Sequence, residues 1–214
     1  MGGSRQRELF ASAAALAAGC ANATDSPEVP LLRHQLQEWQ RAVAAHQARL
    51  FAGSGEGVHQ AALFEGPETE APVKAGLGIN PLELQAQPLS FWRWPDPPQR
   101  GAALYFVLDS FVLEGPLAAQ GHGPQPLLLY VGETGRADRR WKGEHDCKQY
   151  LAAYSEALAR VNLGSRLSIR FWLDVPGATR ARRTLEQALI QRWLPPFNKE
   201  TRQRWATPFT TDGD

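Results

Sequence analysis

Ala102–Asp109 (AALYFVLD) and Leu127–Val131 (LLLYV), the second closed by Gly132, decide the fold. Both are short runs of aliphatic, β-branched and aromatic residues, the composition of strands. Residues 115–126 between them are rich in Gly, Pro and Gln and read as a long loop, so the two runs predict an antiparallel hairpin. Further on, residues 166–174 alternate. Leu167, Ile169, Phe171 and Leu173 point one way, and Ser168, Arg170 and Trp172 the other, as in a half-buried third strand. Helices are expected over 137–160, interrupted near Gly143, and over 179–194. The second has Leu185, Ala188, Leu189 and Trp193 on its apolar face, and Pro195-Pro196 ends it. The order β-β-α-β-α describes a small α/β (α+β) domain: a three-stranded, mainly antiparallel sheet flanked by helices.

Upstream the signals thin out. Leu32, Leu36, Trp39, Val43 and Leu50 fall near one face of a helix over 31–51, with Pro30 in its first turn and the Gly-rich 53–57 stopping it. Residues 53–80 read as linker. Phe91-Trp92-Arg93-Trp94-Pro95 is read as a strap whose rings cover a core, in preference to a ligand platform. At the N-terminus, Arg5 and Arg7 precede a weakly apolar stretch ending at Cys20, and Ala21-Asn22-Ala23 resembles a cleavage site. The alanine-rich stretch and Glu8 favour a cytoplasmic N-terminus over a secretory signal. The expected organisation is a flexible N-terminus (1–30), a helical and Pro/Gly-rich extension (31–100) whose helix packs on the rest of the chain, with docking of a protein partner as the alternative, the α/β domain (101–206) and a tail (207–214).

Composition excludes several classes. Hydrophobic residues make up 43% of the 214, enough for a packed core and against wholesale disorder. No apolar run reaches the ~18–20 residues of a membrane span. Cys20 and Cys147 are the only cysteines, which excludes a disulfide framework and a zinc ribbon. The net charge of +1 hides an asymmetry: residues 127–206 carry 15 Lys/Arg against 8 Asp/Glu. Such a block suits a polyanion, and equally a solvated arginine-rich surface.

Five residues on the expected elements could carry chemistry. Tyr105 sits mid-strand and Tyr130 near the end of the second strand. Arg140 follows Tyr130 by ten residues, Glu186 lies on the last helix, and Asn198 lies in Pro195-Pro196-Phe197-Asn198. Singly, each has an ordinary structural explanation. Strand tyrosines usually pack, Arg140 suits a solvated helix, and Glu186 stands four residues from Arg182, the spacing of a surface ion pair.

Together they resemble the GIY-YIG nuclease superfamily. Its first motif is matched degenerately by Ala103-Leu104-Tyr105 and its second by Tyr130-Val131-Gly132. The helix arginine is matched by Arg140, the metal-binding glutamate by Glu186 within Leu185–Ile190, and the closing motif by Pro195–Asn198. The resemblance covers residues 101–200, about half of the chain. Four departures accompany it. Ala103 replaces Gly, and the 110–126 loop is an insertion. The histidine that often follows the arginine by four residues stands five after it, as His145. Glu133 puts a carboxylate where many members carry a small or basic residue.

The resemblance implies a GIY-YIG-like fold and a metal-dependent endonuclease acting on DNA, with RNA also open. Glu186 would hold Mg²⁺ (or Mn²⁺), one carboxylate sufficing for an ion that keeps several waters. Arg140 would donate to the scissile phosphate, and Tyr105 would act as general base or orient the water. Tyr130 would donate or relay a proton, His145 would join the site, and Asn198 would order it. Arg136, Arg139, Lys142, Lys148, Arg182 and Arg183 are the expected phosphate-backbone contacts, with Arg166, Arg170 and Arg180 as further candidates. A catalytically inactive nucleic-acid-binding or scaffold module is the alternative, and a small-molecule site around Trp92 and Trp94 the remaining one.

Overall fold

A computed structural model of the chain describes residues 31–53, 76, 78–89, 100–112, 123–139 and 146–207. Expectations for the N-terminal 1–30 segment, for the Trp92–Trp94 strap and for Arg140, Lys142 and His145 lie outside the described residues.

The described elements are, in chain order, helix α1 (Arg33–Phe51), strands β1 (Gln87–Pro88), β2 (Ala103–Phe111) and β3 (Gln125–Thr134), helix α2 (Asp146–Arg160), strand β4 (Ser168–Trp172) and helix α3 (Thr179–Trp193). The fold is mixed helix and sheet. The sheet has four strands, ordered β1-β4-β2-β3 and antiparallel throughout, where the sequence predicts three. The extra strand is β1, which pairs Gln87 with Ile169 and Pro88 with Ser168. Two residues carry no periodicity to read. Proline, lacking an N–H, is tolerated there because β1 is an edge.

β2 and β3 form the expected hairpin, each longer than its apolar run, with Tyr105 opposite Gly132 and Val107 opposite Tyr130. The register slips between Val107 and Leu108, leaving Leu129 as the extra residue of a bulge. β2 is covered on both faces, which is why it reads as a continuous apolar run without alternation. Its odd-numbered residues Tyr105, Val107 and Phe111 pack with α1 and α2, through Leu36, Trp39, Val43, Tyr150, Leu151 and Tyr154, and with Phe197 of the segment after α3. Its even-numbered Leu104, Phe106 and Leu108 pack with α3, through Leu185, Leu189, Ile190 and Trp193. The result is three layers, α3 on one side of the sheet and α1 with α2 on the other.

α1 is integral to this unit, which spans Leu31–Asp214. Its first half joins the α2 face, and Leu50 and Phe51 reach the α3 face. Between them Gln47 is buried at the open edge of β3, where its amide donates to the Leu128 carbonyl (2.9 Å) and accepts from the Leu128 N–H (2.8 Å). Farther along the same edge the Leu129 carbonyl accepts from Phe197 N–H, and the Asn198 amide pairs with both backbone groups of Val131. Residues of α1 and of the segment after α3 thus close an edge that would otherwise template another strand.

Candidate active site

The site forms where the β2–β3 hairpin meets α3. Tyr105 faces Gly132 across the ladder, and its ring lies 5.9 Å from that of Tyr130, the two planes 27° apart. A Cβ on residue 132 would overlap the Tyr105 ring and press on Tyr130, so glycine is the residue that lets the two phenols lie over the strand. Tyr105 is fully buried and Tyr130 half-buried. Burial pushes the Tyr130 phenol far up, and the neighbouring Tyr105, Cys147 and Glu186 add to the shift, with Tyr105 also hydrogen-bonded to it. Tyr130 therefore stays protonated and acts as a hydrogen-bond donor rather than a base.

α3 supplies the carboxylate. Leu185 and Leu189 turn into the core at i, i+4 spacing, which places Glu186 at the rim of the helix–sheet contact. There its Oε1 accepts the backbone N–H of Glu133, one residue past Gly132, at 2.9 Å. Glu186 also lies close enough to Tyr130 for its charge to raise the phenol's pKa, and Asn198 holds the neighbouring Val131 with both atoms of its amide, at 3.0 and 2.8 Å.

Glu133 serves the architecture. Its carboxylate takes Arg182 Nε at 2.8 Å and lies 3.4 Å from Arg183 Nε. The two arginines differ sharply, with 3% of the Arg182 side chain exposed against 69% of that of Arg183. Arg182 also donates to the carbonyls of Pro176 and Gly177, so it is turned inward and does not face a ligand. Arg170 is likewise used internally, its Nη1 donating to the carbonyls of Pro81, Leu82 and Leu84. Arg136, Arg139, Arg166 and Arg180 are exposed and Lys148 is half-buried. Arg180 and Arg183 line a recess of about 490 Å³ on α3 with Thr179, Thr184 and Gln187.

One cluster escapes the sequence reading. Asp109 is buried, yet its carboxylate accepts from the Tyr154 hydroxyl (2.7 Å), Ser165 Oγ (2.8 Å) and the N–H groups of Arg166 (2.7 Å) and Ser110 (2.8 Å). Gln40 donates to the same Tyr154 hydroxyl at 2.7 Å. Burial raises the Asp109 carboxyl above its ordinary range, and the four donors oppose that shift. With its acceptor sites taken up by α2 and the loop into β4, Asp109 ties elements together. The available signal was an acid inside an apolar run (Tyr105–Phe111), which needs a buried partner.

Among the described residues no group of three His, Cys, Asp or Glu side chains is placed to hold a metal, and no described helix is long and apolar enough to cross a membrane. No family model matches the chain, nor does any curated protein or solved structure.

Proposed function

We propose that the chain is a metal-dependent endonuclease of the GIY-YIG type that hydrolyses phosphodiester bonds in DNA, with RNA as the other substrate the chemistry admits. The observation that carries the reading is the approach of Glu186, on α3, to Tyr130, whose ring stacks with that of Tyr105 over Gly132. The motif order explains it, and ordinary core packing does not require a carboxylate beside two phenols.

Glu186 is the residue that would hold Mg²⁺ or Mn²⁺, which supplies Lewis acidity at the phosphate when bound. A lone carboxylate at a partly open rim, with one oxygen already oriented by a backbone N–H, fits an ion that retains most of its waters. In the hydrolysis a water oxygen bonds to phosphorus and the bond to the 3′ oxygen breaks, leaving a 5′-phosphate and a 3′-hydroxyl. The attacking water gives its proton to solvent and the departing 3′ oxygen takes one from solvent, while Tyr130, held protonated, donates toward the phosphate region and the buried Tyr105 fixes its hydroxyl. Arg140 stabilises the anionic transition state, and Arg136, Arg139 and Arg183 contact flanking phosphates.

A second reading, a nucleic-acid-binding module without catalysis, is favoured by one feature. Glu133 brings a carboxylate to the site's edge, where it engages Arg182 and Arg183 and repels a phosphate. Incubation of end-labelled duplex, branched and single-stranded substrates with Mg²⁺, Mn²⁺ or EDTA separates the two. The nuclease reading expects metal-dependent products with 5′-phosphate ends. Binding without cleavage on every substrate supports the module.

A further inference from the structure

A second cationic surface lies away from the candidate site, where the C-terminal ends of α1 and α3 meet the 3₁₀ turn Arg202–Trp205. The His46 ring stands 5.7 Å from that of Trp205, edge-on. The ring of Trp205 is fixed by its indole N–H, which donates to the Leu194 carbonyl at 2.6 Å, and the Arg204 guanidinium lies 6.0 Å over it. His46 is also hydrogen-bonded to the Arg192 backbone. Arg49, Arg192 and Arg204 have no acidic partner among the described residues, and Arg49 and Arg204 are exposed.

Crowding like charges without a counter-anion is unfavourable, and its effect is visible on His46. Burial first, then the charges of Arg204 and Arg49, hold its pKa below the ordinary value, outweighing the Arg192 carbonyl. Helix dipoles account for Arg49 and Arg192, each in a last helical turn. They do not account for Arg204, which a separate segment brings to the same histidine. The nearby acids are occupied or distant. Glu200 accepts from Gln187 at 3.0 Å, and Glu38 stands two helical turns from His46, about 12 Å along α1.

We infer that Arg49, Arg192 and Arg204, set around His46 and Trp205, form a second docking surface for the phosphate backbone of duplex nucleic acid. The inference rests on the nucleic-acid reading proposed above and extends the footprint beyond the cleavage site. Along the closed edge of β3, Glu186 meets Glu133, while Gln47, the neighbour of His46, meets Leu128. The two contacts stand five positions apart along β3, one step of which crosses the bulge at Leu129, so they lie at most about 17 Å apart. A duplex presents a phosphate about every 3.4 Å of axis on each strand, so one short duplex spans that interval. An anionic membrane would also see the cations. The patch, however, is held by two aromatic rings locked in place and has no described apolar helix face to insert, which favours a polyanion over a bilayer.

The test is the salt dependence of binding to a labelled duplex of arbitrary sequence, measured by fluorescence anisotropy on the full chain. Wild type is compared with Arg49→Gln/Arg204→Gln and with Arg136→Gln/Arg139→Gln beside the candidate site. All four substituted side chains are exposed, so the variants are expected to fold, which circular dichroism checks. Each lost phosphate contact lowers the slope of log K against log salt by about 0.9, so the Arg49/Arg204 variant should lose roughly two. An unchanged slope in that variant, with wild type binding and the Arg136/Arg139 variant impaired, overturns the second surface and leaves the first reading standing. No salt-dependent binding by wild type overturns both. Retained duplex binding with loss of co-sedimentation on phosphatidylserine vesicles assigns the patch to membranes and overturns the inference.

Discussion

Tyr105 lies over the bare backbone of Gly132, its partner across the β2–β3 ladder, in a space that a single methyl group would fill. The phenol pair of Tyr105 and Tyr130 depends on that vacancy. Gly132→Ala should therefore displace both rings and destabilise the fold by about 1–3 kcal/mol, as overpacking does. Urea unfolding with an unchanged m-value measures it. A variant as stable as wild type would show that the ring pair can rearrange freely.

Tyr105→Phe keeps the ring and removes only the hydroxyl. The expected stability loss is about 1 kcal/mol, that of one buried hydrogen bond, while cleavage falls by orders of magnitude. Thermal melting beside single-turnover kinetics separates the two effects. A large drop in melting temperature with activity intact would make Tyr105 a packing residue.

The Arg182–Glu133 pair is buried and the Arg183–Glu133 contact is not. Arg182→Met leaves a carboxylate without its main partner and should cost about 3–5 kcal/mol. Arg183→Met should cost about 0–1 kcal/mol. Denaturant titration of the two variants checks the contrast, and equal effects would deny Glu133 its anchoring role.

Much of this architecture was legible in the sequence, for identifiable reasons. The apolar runs around Tyr105 and Tyr130, the alternation of Ile169 and Phe171 and the Pro195-Pro196 stop each encode a local rule, and the elements lie within a few residues of where those rules put them. β1 was hidden because two residues have no period. Gln47 and Asp109 were hidden because a buried amide or carboxylate is chosen by partners far along the chain, Leu128 for one and Tyr154 for the other. Helix spacing suggested Arg182 as a partner for Glu186. Packing of α3 instead sends Arg182 to Glu133, and Glu186 meets the Glu133 backbone.

Stability should respond to pH through two groups of opposite sign. His46 is held below its ordinary value of 6.5, so its contribution is present above that value and is lost as pH falls through its depressed folded value. Asp109 is raised above 3.8, so its contribution is full below that value and is lost as pH rises through its raised one. His46→Gln should flatten the decline in stability between neutral and mildly acidic pH, measured by urea unfolding at each pH. An identical decline in the variant would assign it to other groups.

The proposed nuclease depends on Glu186 as its metal-holding carboxylate. Nicking of supercoiled plasmid by the purified chain and by Glu186→Ala, with Mg²⁺ and with EDTA, tests it most directly. Metal-dependent nicking is expected of wild type and none of Glu186→Ala, whose stability should lie within about 1 kcal/mol of wild type because the side chain sits at a partly open rim. A folded Glu186→Ala protein that nicks as fast as wild type would contradict it.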